Sequence, residues 1–422
     1  MAVKHIKTNT AISRTLLIAA SVLVAAAAVF AAKWGFGNAI ADRSDTLELD
    51  AVALRSAPAD PLAHRRAAAH LNDTFIRADA TRALAEYETA ARLAPNDYLA
   101  WVALGTARER SGDADGAEAA LRYAAELAPN YASVQWTLGN TLLRRSKTDD
   151  AFAELRKAIR SDAKYAPPAA VAAMQIFSND AAAAIEALGN FPDANAAIAQ
   201  LVAGQKEFSK AARIWTAIPA EPRAELKKEG EKLRSAMLSA KHFRDALAIN
   251  ATLPEAVNAE IAKVYNGGFE SEVLPEGASI FDWQIGKGNS PVIGLSDTEK
   301  HSGKFSLAVV FNSPDGKVGR TITQTIAAEP GTAYNFGLFY RSGIKSGPGI
   351  IWQVVSAADN SIIAETSPME FSDDWRQVDL TFAVPENADG IIIRIAAQKC
   401  AATDCRIAGP IWFDDIELIR AG

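Results

Sequence analysis

The sequence predicts a multidomain chain: an N-terminal transmembrane helix, an all-α solenoid of helical hairpins, and a C-terminal all-β sandwich of jelly-roll type. Three observations carry this. Residues 15–32 are an uninterrupted apolar run that follows a basic segment. From there to about residue 263 the chain is alanine-rich with helical periodicity, and small residues recur at an offset of 34. From Tyr265 onward Gly, Ile, Val, Phe and Thr take over and alternate in twos, the period of a half-buried strand. At 422 residues the chain is too long for one ordinary core. Its net charge of −6 argues against nucleic acid as a partner, which would need a basic face.

The N-terminal segment 1–14 carries Lys4, Lys7 and Arg14 and no acid, and Lys33 with Trp34 and Phe36 closes the apolar run. A basic flank before a span predicts a cytoplasmic tail (1–14), a single anchor (15–36) in a bacterial inner membrane, and a periplasmic body. A cleaved signal peptide is the rival, because Ala39-Ile40-Ala41 before Asp42 resembles a cleavage site. That site lies nine residues beyond the run, with Lys33 between, so an uncleaved anchor is expected. In either case the body is exported. Oxidising surroundings then favour a disulfide between the two cysteines, Cys400 and Cys405, over a pair of free thiols.

Residues 42–60 read as a polar lead-in, and Pro61 suits a first helical turn. Residues 98–130 read as two amphipathic helices joined at Gly112-Asp113. Trp101, Leu104 and Gly105 share one face of the first, Ala117, Leu121 and Ala124 one face of the second, and Pro129 closes the unit. The small residues let the helices approach while Trp101 and Leu121 fill the seam. This spacing resembles a tetratricopeptide repeat; Arg108 stands where that family usually carries an aromatic, so looser packing is expected there. One offset earlier stand Ala83, Tyr87, Ala90 and Pro95. One offset later stand Leu138, Gly139, Ala151, Leu155 and Ala158, with Trp136 one place off the aromatic position. Repeats with their lead-in therefore span 42–165. Ala211, Trp215, Ile218, Phe243 and Ala246 extend the pattern weakly through degenerate hairpins over 166–263. The resemblance implies a protein-binding concave groove.

At Tyr265 the Asn266-Gly267-Gly268-Phe269-Glu270 segment ends the helices. Alternating runs follow, at 305–309, 322–326, 336–340, 378–382 and 391–395, separated by turn signals such as Pro314-Asp315-Gly316 and Glu329-Pro330-Gly331. About eight strands are expected. The segments NGGFE, His301–Val309, Gln324–Ser342, Asp373–Pro385 and Ile411–Leu418 resemble a carbohydrate-binding module with a galactose-binding-like sandwich over nearly all of Asn266 to Ile419, and the domain is expected over 264–422.

That resemblance implies exposed rings, since a pyranose stacks its C–H face on a π surface. Trp283, Tyr340 and Trp352 are the glycan-stacking candidates, with Arg341 or Gln353 beside them to bond hydroxyls; core packing is the plain alternative for each. Trp375 and Trp412 sit in runs that read as structural. The resembled sandwiches often hold a structural calcium. Mapped here, Glu270 and Asp415 would supply side chains and backbone near Lys300 would supply oxygens, against the alternative of acids that cap turns. Catalysis is not expected. Asp414 and Asp415, adjacent on a strand, should point to opposite faces, and the five histidines, His5, His64, His70, His242 and His301, show no zinc spacing.

The expected role is thus a non-catalytic, membrane-anchored protein whose repeats hold a protein partner and whose sandwich holds a glycan, accessory to envelope polysaccharide assembly or export. The alternative is a protein-binding scaffold whose sandwich is a spacer or interaction domain. Exposed aromatics on one sandwich face favour the first; a polar or alanine-lined face favours the second.

Overall fold

The computed structural model describes residues 10–422 apart from 75, 255, 274–277 and 401–404. Lys4, His5 and Lys7 of the expected tail lie outside the described residues, as does the loop interior between the cysteines. The chain divides into two compact units, Met1–Ala169 with Glu186–Gly189, and Ala170–Ile185 with Asn190–Gly422.

In the first unit, helix α1 (Ala11–Arg43) contains the apolar run and is long and apolar enough to cross a membrane. Thr10 caps it, its hydroxyl accepting from Ser13 N at 3.3 Å. The helix does not stop where the run stops. Its last turns pack on α2 (Leu47–Ser56) and α3 (Pro61–Asp73): Ala41, Ala53 and Ala63 form one fully buried cluster. Asn38 donates to Asp60 at 2.8 Å. A Cβ at Gly37 would come within 2.7 Å of the Ala57 Cβ, so only glycine fits that crossing. The stretch 37–43 is therefore part of the helical core, and the cleavage-like Ala39-Ile40-Ala41 lies inside a continuous helix.

Helices α4 (Arg77–Leu93), α5 (Tyr98–Ser111), α6 (Ala114–Leu127), α7 (Ala132–Arg144) and α8 (Thr148–Ser161) follow. α3–α4, α5–α6 and α7–α8 pack as hairpins. Asp97 and Asp113 cap α5 and α6 through their side chains. Gly112 ends α5 at φ +88°, a left-handed C-cap that favours glycine. The 34-residue offset is visible as repeated close contact. A Cβ at Gly105 would meet Leu121 Cγ at 2.6 Å, and one at Gly139 would meet Leu155 Cδ2 at 2.9 Å. The Trp101 indole donates to Pro95 O at 2.8 Å. One offset on, the residue in that place is Gln135, whose amide donates to Pro129 O; the same bond is kept with a different side chain, and Trp136 instead pairs with Tyr165. Arg108, in place of the aromatic, is held by polar contacts at its guanidinium tip. It bridges Glu88 at 3.1 Å and Gly116 O at 3.4 Å.

Between the repeats and the sandwich run α9 (Ala166–Ile176), α10 (Ala181–Leu188), α11 (Pro192–Gly204), α12 (Phe208–Thr216), α13 (Ala220–Glu225), α14 (Lys227–Ser239) and α15 (Phe243–Asn250). Buried Trp215 on α12 donates to Thr252 Oγ1 at 2.9 Å, just beyond α15, against which α12 packs.

The sandwich has ten described strands rather than eight. They are β1 (Gln284–Ile285), β2 (Val292–Ser296), β3 (Ser306–Ser313), β4 (Ile322–Ala327), β5 (Ala333–Ser342), β6 (Ile350–Ser356), β7 (Ile362–Glu365), β8 (Ser372–Ala383), β9 (Gly390–Ala397) and β10 (Ile407–Arg420). They form two antiparallel sheets, ordered β1-β4-β9-β6-β7 and β2-β3-β10-β5-β8. The inward residues of both build one core, including Leu307, Val309, Phe336, Leu338, Val354, Ile391, Ile393 and Phe413. The glycines of Asn266-Gly267-Gly268-Phe269-Glu270 do more than end a helix. A Cβ on Gly267 would lie 1.9 Å from Ile416 O, so the segment presses backbone to backbone on β10, and Ile416 N donates to Gly267 O at 2.9 Å. Helix α15 is tied to the sandwich within the same unit: Arg244 N donates to Asp389 at 3.1 Å, and Phe243 packs 3.1 Å from where a Gly390 Cβ would stand.

Candidate functional site

The expected stacking rings are corrected first. Trp283 and Trp352 are 0% exposed and Tyr340 is 4% exposed, all within the core between the sheets. Strand parity explains it, because Ile350, Trp352 and Val354 on β6, and Phe336, Leu338 and Tyr340 on β5, all point inward. Trp352 meets Trp283 at 5.9 Å and Phe413 at 5.4 Å, both edge-on. No pyranose reaches a ring so enclosed. The bonding partners proposed beside them are already engaged. Arg341 pairs with Glu299, and Gln353 accepts from Arg394 at 2.7 Å while donating to Glu365 at 2.5 Å.

The carboxylate expectation is also corrected. Asp414 and Asp415 do not serve opposite faces. Pairing between β10 and β5 shifts register between Asp414 and Glu417, and Asp415 sits at φ +47°. Such a bulge cancels the two-residue alternation, so both side chains reach the same turn. Asp414, fully buried, accepts from His301 N at 2.8 Å and Ser302 N at 3.1 Å. Burial pushes its carboxyl above the ordinary range, opposed by those backbone donors. Asp415 accepts from Ser302 Oγ and meets His301 Nδ1, each at 2.7 Å. Glu270 accepts from Lys304 N at 2.7 Å and Phe305 N at 3.2 Å. The three acids thus clamp the 297–305 loop by its own donors. Among the described residues no group of three or more His, Cys, Asp or Glu is set to hold a metal ion. As placed, Glu270 and Asp415 present their oxygens to N–H and O–H groups of that loop.

The clamped loop lies over the outer face of the β2-β3-β10-β5-β8 sheet, and here the aromatics are accessible. Phe339 and Arg341 on β5, Trp375 and Gln377 on β8 and Trp412 on β10 have the outward parity, and all are partly or fully exposed. His301 stacks on Phe339 at 3.7 Å with planes 12° apart, and its ring lies 5.7 Å from Trp375. Trp412 lies opposite Arg341 on the neighbouring strand. Trp375 and Trp412, read as structural from sequence, are therefore the rings that meet solvent. The signal that identifies them is parity counted from the core: each stands an odd number of residues from an inward neighbour. The other sheet shows no exposed ring on its described outer residues. Outward Ile351, Gln353 and Val355 of β6 are nine-tenths buried or more, and the Arg394–Gln353–Glu365 bonds run across β9, β6 and β7.

Cys400 and Cys405 are joined in a disulfide, closing the loop before β10.

The fold is a run of helical hairpins followed by a two-sheet antiparallel β-sandwich that is CBM4-like. Residues 262–403 match a family model described as a carbohydrate binding domain, CBM_4_9. Among solved structures, one titled "CBM4 structure and function" is 16% identical, covering 37% of this chain and 99% of that one with a TM-score of 0.29. A family 61 module from a complex with β-1,4-galactotriose is 17% identical, covering 37% and 96% with a TM-score of 0.27. A MamA double mutant, MamA being a tetratricopeptide-repeat protein, is 19% identical, covering 37% and 92% with a TM-score of 0.32. At these scores the likenesses carry no further weight. No curated protein matches the chain.

Proposed function

We propose that this chain is a membrane-anchored, non-catalytic glycan receptor whose tetratricopeptide-like hairpins hold a protein partner, accessory to assembly or export of an envelope polysaccharide. The observation that carries the glycan reading is the outer face just described. It places His301 on Phe339 and near Trp375, and Trp412 opposite Arg341, in a domain that matches a carbohydrate-binding family. Half-exposed rings next to fixed polar groups suit a sugar's C–H face and hydroxyls. Full-length protein in detergent, tested against a panel of polysaccharides, should bind at least one saturably, with Trp375→Ala and Trp412→Ala each weakening it about tenfold or more. No binding by folded protein across a broad panel would sink the reading.

The ring-free, largely buried outer face of the β1-β4-β9-β6-β7 sheet favours a second reading, in which the sandwich is a protein-interaction or spacer domain. Under it, both tryptophan variants would bind glycans no differently from wild type.

The anchor reading is supported by α1 itself, because Gly37, Asn38 and Ala41 belong to the first helical core. Cleavage after Ala41 would remove them, so the mature protein should retain α1, which intact mass of protein from membranes will show. The disulfide supports a body outside the reducing cytoplasm, with the N-terminus inside.

A further inference from the structure

A cleft of about 400 Å³ opens within the second unit, between α14, the chain just after α15 and the 278–282 turn before β1. That is the size of a small-molecule site. Both walls are fixed by packing or hydrogen bonds. On one side, a Cβ at Gly230 would stand 2.6 Å from Trp215 and 2.7 Å from Leu253, so α14 lies tight against its neighbours. On the other, Gln284 Nε2 donates to Ala278 O at 3.1 Å and Ser279 O at 2.6 Å, and Asp282 N donates to Ser279 O at 2.9 Å. Two opposite charges line the cleft without meeting. Asp282 is 7% exposed, and among the described residues its carboxylate accepts only from Trp283 N, to Oδ1 at 2.7 Å. Burial pushes that carboxyl above the ordinary range, opposed by the Trp283 N–H. Arg234 reaches the cleft from α14. Its Nη1 donates to Asn250 Oδ1 at 2.8 Å, and Asn250 is itself pinned to Val257 O at 3.1 Å. The Arg234 Nε is buried with no hydrogen-bond partner. Among the described residues neither Asp282 nor Arg234 forms an ion pair. Buried charge without a partner destabilises a fold, and a ligand that supplies both missing partners removes that cost. Lys227 and Glu231, one charge of each sign, complete the charged lining, and Leu238, Leu253, Val257 and Ile280 make the rest of the wall largely aliphatic. No aromatic ring lines it among the described residues, so nothing there stacks a pyranose.

We infer that this cleft binds a small zwitterion with an aliphatic side chain, that is, a free α-amino acid of the leucine or valine type. Its carboxylate takes the Arg234 N–H groups that Asn250 leaves open, since a guanidinium fork matches a carboxylate. Its ammonium takes the open oxygen of Asp282, and its side chain lies on Leu238, Leu253 and Val257. Asn250 holds Arg234 in place before the ligand arrives, which lowers the ordering cost of binding. The cleft shares no residue with the ring-bearing sheet face and stands independently of the glycan reading.

The test is calorimetric titration of the full-length chain in detergent with L-leucine, D-leucine and L-valine. Two analogues accompany them: leucinamide, which lacks the carboxylate, and 4-methylpentanoate, which lacks the ammonium. Wild type should bind at least one of the amino acids saturably. Each analogue should bind at least about tenfold more weakly, having lost one charged hydrogen-bonded contact. Asp282→Asn and Arg234→Gln, shown by their melting curves to be folded, should each weaken amino-acid binding by at least about tenfold for the same reason. Should a variant fail to fold, the comparison of the amino acids with the two analogues in wild type still decides. No saturable binding of any of the amino acids by folded protein overturns the inference. So does an analogue that binds as tightly as the amino acids, or undiminished binding by a folded variant.

Discussion

Trp352 touches Trp283 and Phe413 edge-on with no exposed surface, so Trp352→Ala should cost about 3–5 kcal/mol through lost burial and an unfilled cavity. A denaturant titration will show that cost, and loss of sugar binding in this variant would report unfolding, not a lost platform. Glu118 behaves differently. It is buried among Arg122, Arg145 and Lys147. Burial raises its carboxyl, but hydrogen bonds from Lys147 and Arg122 outweigh this and hold it below its usual 4.5. The stability it contributes is complete at neutral pH, begins to fall as the pH drops below about 4.5, and is lost on passing through the lowered folded value. Glu118→Gln should therefore be less stable than wild type at neutral pH and converge with it in acid, as denaturant midpoints across that range will show. At the loop clamp, Glu270, Asp414 and Asp415 are satisfied by protein donors. Chelation is thus expected to leave the melting temperature unchanged, and a marked rise on adding calcium would show that these acids rearrange around the ion.

At the scale of elements, the repeats depend on helix crossings too close for any side chain. Leu121 Cγ would stand 2.6 Å from a Cβ at Gly105. Gly105→Ala should therefore destabilise the first unit by about 1–3 kcal/mol through overpacking, despite alanine's better helix propensity. Thermal unfolding of the variant decides the sign. The repeat was legible because small residues at a constant offset follow directly from that steric demand. Its polar substitutions were not. Gln135 in the place of Trp101 shows that the retained feature is a donor to a proline carbonyl, which no hydrophobic pattern records. In β10 the bulge after Asp414 defeated parity reasoning in the same way, because an inserted residue is invisible until the partner strand is known.

For the whole molecule, the sandwich is not a free appendage beginning at residue 264. Arg244, Phe243 and the Ala262 N–H, which donates to Ala327 O at 2.8 Å, bind the last helices to it in one compact unit. Limited proteolysis should accordingly release a fragment beginning within about 170–190, where the two units divide. A dominant fragment starting near 264 would contradict this.

What the sequence determined by itself is what local chemistry dictates. The apolar length of α1, the helical period with its 34-residue offset, the switch to two-residue alternation at Tyr265 and the proximity of Cys400 to Cys405 all follow from neighbours along the chain. The tertiary structure decided what depends on neighbours across it: which tryptophans are core and which meet solvent, and where the acids of Asp414–Asp415 point. The reason is physical. Periodicity says that a strand has two faces, but only the packing of the second sheet says which face is inside.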